Sequence, residues 1–391
     1  MSLTQDLDKI LDAVLPGDPS FRRIEPAVMD DRIRDARRWA SEGSKEAFLL
    51  AAMRLLALPG NGHTRLIPND GIQVLPLRFV SLGTAVRLMA TALETEAPRG
   101  ELVAVNGTPV DEIEAAAATF LAGTPQRKRV IGPILLAWPH ALARLGFSSN
   151  RDTTEYRLRD DNGRITDLTV ENGRTVPASM LYPRSEHGRA DPAWKPGSLA
   201  EITDWLGLGL SIVLPSFFDP DRRALPEAIA GAAKHVRTGP SRNLLIDVRG
   251  NTGGDFLKTL PLVDAICEDQ SRRFAVLVDK FTFSAAVVFV AILRHWLGDR
   301  LTVIGEEMGD GFTFFAEGGL LDLPVSGAVV RYSTAFHDWE NGTSDETTPP
   351  EIARHLVPAG KLVLDREWVE TSTAENAEGR LYRQVLTSLD D

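Results

Sequence analysis

Two short apolar runs constrain this chain more than any other feature. Leu244 to Val248 is broken only by Asp247, and Phe274-Ala275-Val276-Leu277-Val278 is not broken at all. A strand with one wet face alternates polar and apolar residues, whereas a nearly continuous run belongs to a strand buried on both faces. Thr259 to Cys267 and Ala285 to Leu297 follow these runs with helical character, and Leu301 to Ile304 is a further strand. Upstream, Leu208 to Leu214 reads as a strand and Leu225 to Val236 as a helix, with Pro226 tolerable in its first turn. Strands alternating with helices predict an α/β core with right-handed crossovers over residues 205–391.

The rest of the chain adds different material, so the class is α+β overall. Over 1–69 we expect a helical cap. Leu7, Ile10, Leu11 and Val14 recur at helical spacing before Pro16-Gly17, and Ser44 is placed to cap a second helix that runs to Pro59-Gly60. Over 70–175 we expect a small α+β insert. It holds a strand near Ile72 to Leu77, a strand and Asn-Gly turn at Glu101 to Val110, a helix from Asp111 to Ala118, and a hairpin over 154–171. Residues 176–204, with Pro183, Pro192 and Pro196, read as a linker.

The balance of charge narrows the partners. With 54 acidic against 43 basic side chains the net charge is −11, which disfavours nucleic acid and anionic membranes. No stretch is long and apolar enough to span a bilayer. The polar, acidic start Met1 to Asp8 is not a signal peptide. The compartment stays open between the cytoplasm and, if a leader was removed, a secreted or periplasmic location. Cys267 is the only cysteine, so no intrachain disulfide forms; its apolar context reads as a buried small hydrophobe. There is no zinc-spaced set of Cys and His, and no cofactor is implied.

Chemistry concentrates in two loops that each follow a buried strand, where α/β sheets bind ligands. Asp247-Val248-Arg249-Gly250-Asn251-Thr252-Gly253-Gly254-Asp255 has three glycines, which let backbone N–H groups approach a ligand as an oxyanion hole requires. It has neither the Lys-Ser/Thr of a P-loop nor dinucleotide spacing. Lys280-Phe281-Thr282-Phe283-Ser284-Ala285-Ala286 leads straight into a helix. Taken alone, Ser284 reads as an N-cap. As a nucleophile it would have small neighbours, and the Ala285 N–H and the helix dipole would lie beside a developing oxyanion. A nucleophilic serine needs a base. Of seven histidines, His140, His187, His235, His295, His337 and His355 lie in unremarkable contexts. His63 lies in the Gly-flanked turn Gly60-Asn61-Gly62-His63-Thr64-Arg65-Leu66.

Together these residues resemble the tail-specific (C-terminal processing) protease family, with its tricorn-core and retinoid-binding-repeat branches. Asp247 to Gly254 matches D-x-R-G-N-x-G-G, Thr282 to Ala286 matches T-x-S-A-x, and Val303-Ile304-Gly305-Glu306 is similar to V-x-G-E. Asp345 to Ile352 resembles the closing G-x-x-P-D region, Asn61 to Thr64 the D-G-H-T turn, and Val103 to Gly107 the strand and turn of a PDZ-like domain. The resemblance covers roughly 45–66 and 205–352. It implies a crotonase/ClpP-like ββα core and a serine peptidase acting on short or unfolded peptides, with homo-oligomerisation left open. The Ser–Lys branch has a lysine in a G-K-G turn; here that turn is Gly309-Asp310-Gly311, and Lys280 precedes the serine. The resemblance therefore implies a Ser–His arrangement. Ser284 is the nucleophile, His63 the base and Glu346 its support, with Glu340 and Asp345 as competitors. Backbone N–H groups of Gly253, Gly254 and Ala285 form the oxyanion hole. The branch's supporting serine has no counterpart at Gly62, and Thr64 is the substitute at hand. Two other readings stand beside this one: a catalytically inactive binder of peptide or lipid, and a crotonase-type acyl-CoA enzyme.

Overall fold

A computed structural model describes residues 2–68, 72–93, 99–148, 152–181, 199–219, 222–239, 243–369 and 377–389. Most of the linker expected over 176–204 therefore lies outside the described residues. The chain forms two compact units of mixed α/β structure. One comprises Met1–Ser185 with Phe315–Phe336, the other Glu186–Phe314 with His337–Asp391.

In the first unit, the N-terminal helix Leu3–Lys9 continues through a π-helical turn, Ile10–Val14, and is followed by the helices Pro26–Ser41 and Lys45–Leu56. Ser44 caps the last of these as expected, its Oγ accepting the Ala47 N–H at 3.2 Å. Leu50, Leu55 and Phe48 are fully buried, so this helix is the spine of the unit's core. The strand Arg65–Pro68 pairs antiparallel with Ala328–Tyr332, which in turn pairs with Gly319–Leu323. The excursion Phe315–Phe336 is thus woven into this unit by backbone hydrogen bonds.

The same unit holds an antiparallel sheet ordered Leu77–Leu82, Ala85–Thr91, Gly100–Val105, Thr153–Arg159, Ile165–Glu171. The Asn-Gly signal is realised directly. Asn106 and Gly107 take φ of 50° and 81°, the left-handed pair of a type I′ turn, and Thr108–Pro109 folds back on Gly100–Val105. Residues 154–171 form the expected hairpin, in register from Thr153↔Glu171 to Arg159↔Ile165.

The second unit is built on a six-stranded sheet. Glu201–Trp205 runs antiparallel at one edge; Gly209–Val213, Asn243–Asp247, Arg273–Val278, Leu301–Gly305 and Arg366–Glu367 follow in parallel. The apolar runs fall where expected, and every residue of Asn243–Asp247 is buried. Burial on both faces explains why they carry no polar alternation. Ala224–Thr238, Leu260–Glu268 and Ala285–Leu297 are the connecting helices. The last is apolar almost all round, with Ala285 to Leu293 buried, as a helix inside a core must be. Cys267 is half-buried, and burial pushes its thiol up to about 11, so it is not a ready nucleophile. Among the described residues no helix is long and apolar enough to cross a membrane.

Phe289 on that helix is fully buried, with its ring 5.5 Å from that of Phe217. Phe289→Ala is expected to destabilise the protein by about 3–5 kcal/mol, the cost of a lost aromatic and the cavity it leaves. Urea denaturation followed by tryptophan fluorescence measures it.

Candidate active site

Adjacent parallel strands, Asn243–Asp247 and Arg273–Val278, deliver the two loops to the same C-terminal end of the sheet. Ser284 begins its helix with φ 57° and ψ −126°, and its side chain makes no capping hydrogen bond. The N-cap reading is therefore set aside. A cap is extended and its oxygen is spent on the helix; this serine is neither. Positive φ in a residue with a Cβ costs on the order of 1–3 kcal/mol and persists only where its surroundings hold it. A strained strand–turn–helix of this kind raises the nucleophile of α/β-hydrolases above their sheets.

The surroundings that hold it are specific. Asp279, directly after the strand, accepts the N–H groups of Phe281 and Thr282 at 3.0 Å each, and that of Gly250 at 3.0 Å from the glycine loop. Thr282 Oγ1 donates to the Val248 carbonyl at 3.0 Å, and the Phe283 N–H to the Asn251 carbonyl at 3.0 Å. Burial pushes the Asp279 carboxyl up, as do nearby Asp247 and Glu306; the Gly250 N–H and Arg249 pull it back. Gly309 adds a bond to the Thr282 carbonyl at 2.9 Å, so the Gly309-Asp310-Gly311 turn lies against the serine turn. Lys280 is buried and paired at 3.5 Å with Glu306 of the V-x-G-E turn, a structural position.

The glycine loop closes on the serine. A Cβ on Gly253 would sit 2.7 Å from the Ser284 Cβ and 3.1 Å from the Ala285 nitrogen. A Cβ on Gly254 would overlap the Phe217 carbonyl carbon at 1.9 Å. No other residue type fits either place. Within the loop, the Gly253 N–H donates to Asn251 Oδ1 at 2.9 Å, and Asn251 Nδ2 to the Leu214 carbonyl. Asp247 and Arg249, the first polar residues of the loop motif, serve the fold. They form a buried ion pair at 2.7 Å, and Asp247 also accepts the Tyr382 hydroxyl at 2.5 Å from the C-terminal helix Ala377–Ser388.

His63 belongs to the first unit. It is 3% exposed, in the turn between the helix Lys45–Leu56 and the strand Arg65–Pro68. A buried polar network fixes this turn. Thr64 Oγ1 donates to Asp18 Oδ2 at 2.5 Å, Asn61 Nδ2 donates to Ser333 Oγ at 2.8 Å, and the Ser333 N–H reaches Asp18 at 3.2 Å. The Thr64 hydroxyl is thereby committed to Asp18, which gives it a structural task rather than that of a supporting serine. Sequence reasoning missed Asp18, Ser333, Asn251 and Asp279 as organisers. Two of them had a local signal: Asp279 is an Asp after a strand with Thr three residues on, the pattern of an Asx-type turn, and Asp18 precedes Pro19 and Ser20 as an N-cap.

Among the three carboxylates, Asp345 is tied to its own turn. Partial burial would raise its carboxyl, but hydrogen bonds from the Thr347 hydroxyl and N–H hold it below the usual range. Glu346 is exposed and Glu340 half-buried in the same unit as Ser284.

No protein-family model and no curated protein matches the chain by sequence. Solved structures do. Mature CPAF aligns over 100% of this chain and 95% of its own at a TM-score of 0.59 and 14% identity. The chain has the fold of mature CPAF. CPAF complexed with lactacystin aligns at a TM-score of 0.53 and 14% identity, over 100% of this chain and 97% of its own. The photosystem II D1 C-terminal processing protease is also matched, at a TM-score of 0.38 and 14% identity over 94% and 92% of the two chains. What the chain shares with the CPAF structures, at 14% identity, is the fold.

Two outcomes follow from this geometry. Ser284→Gly, which removes the Cβ from the strained position, is expected to be about 1 kcal/mol more stable than Ser284→Ala, which keeps it; urea midpoints compare them. Asp18→Ala leaves Ser20, Thr64 and Ser333 without their shared acceptor and is expected to lower stability by about 3 kcal/mol. Calorimetry gives the value, and hydrogen exchange should localise the loosening to the 60–66 turn.

Proposed function

We propose that the protein is a serine peptidase of the tail-specific type, cleaving short or unfolded peptides through an acyl-enzyme on Ser284. The observation that carries this reading is the backbone of Ser284. A residue with a Cβ is held at φ 57°, its hydroxyl outside any helix cap, directly against Gly253. The shared fold supports it.

In this reading His63 takes the Ser284 proton as the hydroxyl attacks the peptide carbonyl, then returns it to the leaving amine. Glu346 orients the imidazole; it is preferred to Asp345, whose carboxylate is engaged by Thr347. Negative charge on the tetrahedral carbonyl oxygen is met by backbone N–H groups of the glycine loop and of Ala285. Gly254 and Ala285 are the readier donors, because the Gly253 N–H is occupied by Asn251. Losing one such donor typically costs about a hundredfold or more in rate. Water then resolves the acyl-enzyme with His63 again as base.

A fluorophosphonate is expected to label the protein at one site, identified as Ser284 by peptide mapping, and to leave Ser284→Ala unlabelled. Cleavage of an unfolded protein substrate should fall at least about a thousandfold in Ser284→Ala. His63→Ala is expected to slow labelling while Ser284 remains its site. Labelling that persists in Ser284→Ala would overturn the assignment. Peptide binding without labelling or cleavage would establish the inactive binder instead.

A further inference from the structure

We infer that Phe218 selects an apolar side chain on the peptide, within two residues of the bond that is cut. The inference rests on Ser284 being the nucleophile and goes beyond it to specificity. Phe217 and Phe218 follow the strand Gly209–Val213 and form the wall on which the glycine loop leans. The Phe217 N–H donates to the Gly253 carbonyl at 2.9 Å, and the Asp255 N–H to the Phe217 carbonyl at 2.9 Å. Phe217 and Gly254 form a parallel bridge. Side chains in extended chain alternate between faces. Phe217 points inward, fully buried against Phe289 of the helix that Ser284 begins. Phe218 takes the opposite face and is 55% exposed.

Single exposed apolar residues are common and need no explanation by themselves. Leu206, at 91%, lies in the tight connection between Glu201–Trp205 and Gly209–Val213, away from the glycine loop in sequence and in strand order. Phe218 differs by its place. A Cβ on Gly254 would come within 2.3 Å of the Phe218 nitrogen, and a Cβ on the preceding glycine within 2.7 Å of the Ser284 Cβ. One glycine step therefore separates the backbone of Phe218 from the nucleophile. An extended peptide advances about 3.3–3.6 Å per residue. In this proposal an extended chain with its carbonyl at Ser284 lays a side chain within two residues of the cut against Phe218. The backbone that carries the ring is anchored: the Phe218 N–H donates to Ser216 Oγ at 3.1 Å, and the next residue, Asp219, is paired with Lys258 at 2.7 Å. An apolar side chain that covers the exposed ring removes both from water, which favours it over a polar one.

The test uses the full chain, Phe218→Ala and Phe218→Leu, each titrated for reactive serine with a small fluorophosphonate that has no peptide part. Paired fluorogenic peptides carry Leu or Ser at each of the two positions on either side of the cut. At one of these positions the Leu-over-Ser ratio of kcat/KM is expected to fall about tenfold in Phe218→Ala and to recover most of that in Phe218→Leu. An unchanged ratio at all four positions in both variants overturns the inference while leaving the hydrolase reading intact. Failure of the unsubstituted chain to be labelled at Ser284 overturns both.

Discussion

The second unit turns on a cross-brace between two loops that the sequence separates by a strand and a helix. Asp279 supplies a single carboxylate to N–H groups on both sides of the brace, at Gly250 and at Phe281 and Thr282. The Phe283 N–H bound to the Asn251 carbonyl, and Thr282 bound to the Val248 carbonyl, close it from the other direction. These bonds keep Ser284 at a backbone conformation that it would not adopt in a free helix start. Strain at one residue is sustained because several neighbours are fixed independently of it. The glycines follow from the same brace, since Gly253 and Gly254 are pressed so close to Ser284 and Phe217 that no Cβ fits.

Beneath the brace, the polar residues of the glycine-loop motif divide by task. Asp247 and Arg249 form a buried pair that is completed by Tyr382 and by Glu378, 3.4 Å from Arg249, so the C-terminal helix is anchored to the strand carrying the loop. Breaking one member of a buried pair leaves an uncompensated charge, so all of it must be kept together. Asn251 organises the loop interior. In the first unit the division is similar: Asp18, Asn61, Thr64 and Ser333 build the turn and leave His63 as its one ring with acid–base capability.

Much of the fold was legible because its signals are local. Ala285–Leu297 was bounded to the residue by its apolar composition and the serine before it. The turn at Asn106-Gly107 was legible because left-handed φ in a two-residue turn strongly prefers those residue types, and the hairpin at 154–171 because its alternating strands flank a loop with Gly163 at φ 80°. The expected single strand near Ile72 to Leu77 proved to be two pieces, Gln73–Val74 and Leu77–Leu82, with Pro76 between them. Proline cannot donate to a ladder, and the strand breaks there. The capping reading of Ser284 failed for a related reason. Local sequence describes what a serine before a helix usually does; here contacts from the glycine loop impose a different φ and ψ.

By itself, the sequence determined the alternation of strands and helices from Gly209–Val213 to Leu301–Gly305 and the place of the glycine loop, and it singled out Ser284 and His63 as candidates; it read the edge strand Glu201–Trp205 as linker and did not show the C-terminal helix. Hydrophobic runs, turn residues and motif spacing are properties of neighbours along the chain, so they can be read without coordinates. Only tertiary structure decided that Phe315–Phe336 joins the first unit, that Thr64 serves Asp18, that Gly253 is pressed against Ser284, and that Phe218 stands exposed beside Gly254. Each of those depends on groups far apart in sequence meeting within hydrogen-bond or van der Waals distance. No pattern of adjacent residues encodes such a meeting; it exists only after the chain has packed.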